Sequence, residues 1–168
     1  MLRWYGFAAL ALLAGCKATI SPEEQRRRDD AAVAAVKAIQ DTPPPLKLIS
    51  LQPLGREEIV ALGLDRAGCV FAAASAPTEP LVVALPGRAV VKFDAKNQVL
   101  ASDFGGAKLE NGAWERYTGN RYTLSIKHQP GVGALTATSR TRFSGELTLR
   151  DAWDRAVYTV QGPLDCGS

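Results

Sequence analysis

Apolar positions follow three regimes along the chain. From Trp4 to Leu13 they are almost continuous. In the next stretch, otherwise charged, Ala32, Ala35, Val36 and Ile39 recur at helical spacing. From Leu46 onward, short segments rich in β-branched and aromatic residues alternate with Gly, Pro, Asn and Asp. The second regime predicts a helix over 22–40, about 28 Å long at 1.5 Å per residue. Ser21 is its expected N-cap, Pro22 its first residue, and Glu24 completes a capping box. Glu23 and Glu24 lie four residues before Arg27 and Arg28, the favourable order for ion pairs along a helix. Thr42 and Pro43-Pro44-Pro45 stop the helix and start a stiff connector. The run Arg26-Arg27-Arg28-Asp29-Asp30 reads as a solvated face, neutralised by its own acids, the alternative being contact of its arginines with anionic headgroups.

The third regime predicts β structure. Candidate strands are 46–51, 69–73, 81–85, 89–93, 98–102, 121–128, 145–150 and 156–161. Turns are expected at Pro86-Gly87, Asp94–Asn97, Gln129–Gly133 and Asp151–Arg155. Residues 55–62 read as one or two helical turns closed by Gly63. The clearest alternation puts Tyr122, Leu124, Ile126 and His128 on one face, with Arg121, Thr123, Ser125 and Lys127 on the other. The expected fold is mainly β, a small antiparallel β-barrel or sandwich preceded by one N-terminal α-helix.

The first regime is too short to cross a hydrocarbon core of about 30 Å, but it suits a signal-peptide core behind Arg3. It ends in Leu13-Ala14-Gly15-Cys16, which resembles the lipobox of bacterial lipoproteins at every position. The resemblance implies cleavage before Cys16, a diacylglycerol on its thiol and an acylated amine. Two or three acyl chains, at about 0.8 kcal/mol per buried methylene, hold a protein firmly at a bilayer. Residues 1–15 are then a signal peptide, 16–45 a lipidated tether with its helix and proline linker, and 46–168 the β domain. By the same resemblance to lipoproteins of bacteria with two membranes, Lys17 in place of an Asp implies the outer membrane, facing the periplasm, rather than retention at the inner one. With Cys16 lipidated, Cys69 and Cys166 remain as an even pair in an oxidising compartment and are expected to form a disulfide.

Composition narrows the chemistry. Lys and Arg total 20 against 17 Asp and Glu, spread without a dominant block, so the chain does not read as a nucleic-acid binder. One His and three Cys leave too few ligands for a His- or thiolate-rich metal site. His128 belongs to a strand end rather than a triad, and Gly131-Val132-Gly133 is a turn rather than a phosphate cradle. Glu57 and Glu58 point apart on one helical turn, while Asp151 and Asp154 fit a hairpin turn. The expectation is no enzyme, no cofactor, no metal and no catalytic residue.

One cluster interleaves aromatic and basic residues: Trp114, Arg116, Tyr117, Arg121 and Tyr122. Such groups stack on sugar rings and grip acidic polymers, so they are the candidate ligand-binding residues. The competing reading has Trp114 and Tyr122 facing the core while the arginines are solvated. The partners expected are the membrane through the lipid and an envelope protein or peptidoglycan, with no nucleic acid. The layout of residues 69–166 is also similar to the membrane-bound lysozyme-inhibitor lipoproteins, which implies periplasmic lysozyme inhibition as an alternative. The Ser-Gly-x-x-Tyr motif of that family is absent. The nearest stretch, Ser102-Asp103-Phe104-Gly105-Gly106, departs from it, so no inhibitory residue is carried over.

Overall fold

The computed structural model describes residues 20–128, 133–137 and 139–167. The expected signal peptide, Cys16 and most of the Gln129–Gly133 turn lie outside the described residues. The chain divides into two compact units, 1–44 and 45–168.

In the first unit, helix α1 spans Pro22–Gln40 and buries none of its residues, so Val36 and Ile39 stay exposed. Its start corrects the expected capping box. The Ser21 hydroxyl accepts the Glu24 N–H at 3.2 Å, satisfying one orphan donor of the first turn. The Glu24 carboxylate does not reach back to Ser21. It is drawn instead to the guanidinium groups of Arg27 at 2.6 Å and Arg28 at 3.1 Å, where full charge outcompetes a neutral N–H.

In the second unit, the described residues form the short helix α2 (Arg56–Ala61) and then nine strands: β1 Gly68–Ala73, β2 Ala76–Ala84, β3 Arg88–Phe93, β4 Lys96–Ser102, β5 Arg116–Thr118, β6 Thr123–His128, β7 Ala134–Ala137, β8 Arg140–Arg150 and β9 Ala156–Gly167. Every pairing is antiparallel. The sheet runs β6-β5-β4-β3-β2-β1-β9-β8, and pairing of β6 with β8 closes it into an eight-stranded barrel. β7 extends the same edge of β8 that β6 occupies further along. Of the two architectures expected, the barrel is the one formed, its sheet closing on itself rather than splitting into two packed layers.

Strand alternation sends Phe71, Val82, Val91, Leu100, Tyr117, Leu124, Leu147 and Leu164 into the barrel, all buried. A second, smaller core lies on the outer face of β1–β3. There Val83, Leu85 and Val90 meet Leu54 and Leu64, with Ile59 of α2 packed against them. Gly63, at φ +60°, makes the left-handed turn that ends α2 as expected.

Residues 46–51 are not a strand. Ile49 N–H donates to Val157 O at 3.0 Å, Gln52 N–H to Lys92 O at 2.7 Å, and the buried Leu51 joins the barrel core. The apolar alternation that suggests a strand here serves to cover a barrel already closed. The turn after β3 is tighter than expected. Asp94 and Ala95 both take positive φ, 50° and 55°, forming a two-residue connection that starts β4 at Lys96. β5 and β7, with three and four residues, were not among the expected strands, while β8 and β9 extend well beyond theirs. The long strands β8 and β9 register over their whole length, and a Cβ on Gly162 would collide with Ala72 O of the irregular β1 end.

Candidate functional site

The aromatic and basic cluster is split by the pleat of β5 and β6. Tyr117 lies wholly inside the barrel. Its hydroxyl donates to Leu85 O at 2.9 Å and accepts the Trp114 N–H at 2.8 Å. Burial pushes its proton affinity up, against a smaller pull down from the Trp114 N–H. Trp114 sits half-buried at the loop before β5, its indole N–H donating to Pro86 O at 3.1 Å. The ring of Phe104 meets it edge-on at 5.2 Å, and the Lys108 ammonium lies over it at 5.2 Å. Arg116 points outward and pairs with Asp103 at 3.6 Å. Tyr117 therefore supplies core and Trp114 anchors the loop, whereas Arg121 and Tyr122 come together elsewhere.

That place is a cleft of about 530 Å³ in the barrel wall between β4 and the β5–β6 turn. It exists because β5 is short. β4 registers with β3 from Ser102's neighbour Ala101 down to Lys96, but with β5 only at Ala101 and Ser102. Beyond that the chain turns back at Gly119, whose N–H donates to Tyr122 O at 2.8 Å. The wall is left open along the first part of β4. Phe93 and Tyr122 form the floor, ring edge to ring face at 5.2 Å, with Val91 and Leu100 beside them. Arg121 and Asn120 stand at the rim with Gln98, and Arg88 lies at the far end, its guanidinium donating to Leu62 O at 2.6 Å. The lining holds two arginines and no carboxylate. No ion pair engages Arg121 among the described residues. An apolar floor with a cationic, amide-bearing rim can hold a ligand that offers an apolar group and negative charge.

The other singled-out residues have structural duties. Glu58 accepts from Lys92 Nζ at 2.9 Å and Asn97 Nδ2 at 2.7 Å, pinning α2 to β3 and β4. The Lys92 hydrogen bond, then that of Asn97, holds its carboxyl below the usual carboxylate range. Asp151 organises the β8–β9 turn. Its Oδ1 accepts the N–H groups of Trp153 and Arg155, and its Oδ2 accepts Arg155 Nε at 2.8 Å. The Arg155 side chain, foremost, lowers its proton affinity too. His128 continues the inward row of β6 and stacks on Phe143 at 5.1 Å. Cys69 and Cys166 face each other across β1 and β9 and are joined by a disulfide spanning 97 residues.

Gln98, Asn120 and Arg88 were not singled out by the sequence. They are ordinary polar residues until the shortness of β5 brings them to one opening. Among the described residues there is no cluster of metal-ligating side chains, and no helix is long and apolar enough to cross a membrane. Comparison with protein-family models, curated proteins and solved structures finds no match, so the site's own geometry carries the functional reading.

Proposed function

We propose that the chain is a lipid-anchored, non-catalytic binding protein of a bacterial envelope, carried on the outer membrane and facing the periplasm. The β4 cleft is its ligand site. The observation that carries the binding reading is the opening itself, a cleft with an aromatic floor, two arginines and no carboxylate. The address rests on the resemblance of Leu13-Ala14-Gly15-Cys16 to a lipobox behind a basic, then apolar, start. The Cys69–Cys166 disulfide suits an oxidising compartment. The non-catalytic reading is supported by Glu58 and Asp151, whose carboxylates are each engaged by several structural donors.

The test is expression in a bacterium with two membranes, followed by fractionation and mass measurement of the mature N-terminus. The expected product starts at Cys16, carries acyl chains and partitions into detergent, and Cys16→Ser abolishes all three. Wild-type protein that is free of lipid, or uncut, overturns the address. For the cleft, capture from solubilised envelopes is expected to depend on Arg121 and Tyr122; capture unchanged by Arg121→Glu and Tyr122→Ala together overturns the site.

The lysozyme-inhibitor-like alternative draws support from the small barrel and the placement of Cys69 and Cys166. The loop nearest the inhibitory motif, however, exposes the apolar Phe104 at 73%, stabilised by a local bond from Gly105 N–H to Asp103 Oδ1. Suppression of lysozyme that is lost in Phe104→Ser would favour that alternative.

A further inference from the structure

We propose that the cleft receives an extended, acidic peptide segment of a partner protein, which joins the barrel wall as an added strand on the free edge of β4. This rests on the reading of the barrel as a binding domain and names the ligand class.

The argument starts from the direction of backbone groups along β4. Ser102 N–H donates to Gly87 O at 3.4 Å, and the two-residue turn at Asp94-Ala95 is closed by Phe93 opposite Lys96. In an antiparallel ladder the bonded positions alternate, so Lys96, Gln98, Leu100 and Ser102 turn their backbone groups toward β3. Asn97, Val99 and Ala101 turn theirs the other way. On that side Asp103 N–H meets Arg116 O at 3.0 Å and Ala101 faces Thr118, after which β5 ends. Among the described residues, no backbone bond reaches Asn97 or Val99 from the β5–β6 side. Two N–H and two C=O groups therefore line the cleft in strand geometry, repeating at about 7 Å.

A row of backbone donors and acceptors at that repeat matches another strand. Natural strand edges are blunted by charge, proline or a bulge. Here the middle of the free edge is Val99, apolar and 57% exposed. Side chains of an added strand alternate, so one set falls onto Phe93, Leu100 and Tyr122 while the other faces outward beside Arg121. The first set is then apolar and the second acidic. The rung at Ala101 and Thr118 closes the upper end, which limits the added strand to about four residues along Lys96–Leu100.

The experiment uses the full chain in detergent and a dye-labelled, end-blocked peptide of sequence Glu-Val-Glu-Val-Glu, followed by fluorescence anisotropy to millimolar concentration. Two further peptides carry backbone N-methyl groups, one on the valines and one on the central glutamate. In an added strand alternate N–H groups face β4, so one methylated peptide is expected to bind about tenfold or more weakly while the other matches the parent within about twofold. Val99→Pro removes an N–H that faces the cleft but none of the β3 ladder. It is expected to weaken the parent peptide to a similar extent, whereas Val99→Thr does not. Arg121→Glu is expected to weaken the acidic peptide and admit Lys-Val-Lys-Val-Lys. Equal binding of both methylated peptides overturns strand addition without requiring any variant to fold. If no peptide binds but soluble peptidoglycan fragments do, and Arg121→Glu abolishes that, the proposal fails while the binding reading stands. If neither ligand binds, both fail.

Discussion

The two sides of this barrel are built to different standards. On one side β8 and β9 register from Arg140–Gly167 to Arg150–Ala156, and β9 is stapled to β1 by the Cys69–Cys166 disulfide. Arg142 clamps Asp165 through two hydrogen bonds of 2.6 and 2.7 Å, which hold the Arg142 guanidinium even more firmly protonated. On the other side β4 and β5 register at two positions and the wall opens. The closed side carries the long ladders and the covalent link, while the open side exposes backbone groups and a cation. The difference teaches that stability can be concentrated away from the opening, because a barrel closed by seven other pairings tolerates one short one.

That separation can be broken in order of effect. Phe71→Ala empties the space between Leu164 and Val82 and is expected to cost about 3–5 kcal/mol in urea unfolding. Replacing both Cys69 and Cys166 by Ala is expected to cost about 2–5 kcal/mol by the same measurement, since a long loop regains its unfolded-state freedom. Acidification should act next. Glu58 and Asp151 have folded-state proton affinities below their unfolded ones. Their contribution is therefore complete above the ordinary carboxylate range and lost as pH falls through the lower folded values. Stability is expected to be level near neutrality and to fall below about pH 4, with a shallower acid limb in Glu58→Gln and in Asp151→Asn. Last, Arg121→Ala is expected to change stability by less than about 0.5 kcal/mol, because the side chain is exposed and holds no ion pair among the described residues. A cost comparable to that of Phe71→Ala would show that the open side bears load after all, and the division would collapse.

Much of the secondary structure is readable locally. The Ser21-Pro22 start and the triple proline bracket α1, because caps and breakers act within a turn or two. The inward row of Leu124, Ile126 and His128 follows from a two-residue period alone. Residues 46–51 show the opposite. Their alternation is real, but whether such a segment pairs as a strand or lies across a barrel depends on which strands already fill the ladder. The candidate cluster is divided for a related reason. Sequence proximity joins Trp114 to Tyr122, yet the pleat sends Tyr117 inward and Arg116 outward, leaving Arg121 and Tyr122 to meet Phe93, Gln98 and Arg88.

The amino-acid order by itself determined the N-terminal address expectation, the helix with its cap, the predominance of β structure and the two cysteines available for pairing. These depend on hydrophobic period, local hydrogen bonding and simple counting, all of which act over short spans of chain. Only the tertiary structure decided that the sheet closes, that Cys69 meets Cys166 across β1 and β9, and that β5 stops early enough to leave β4 open. Those outcomes join residues far apart in the chain, and ladder partners are chosen by the competition of all strands for edges rather than by any one segment.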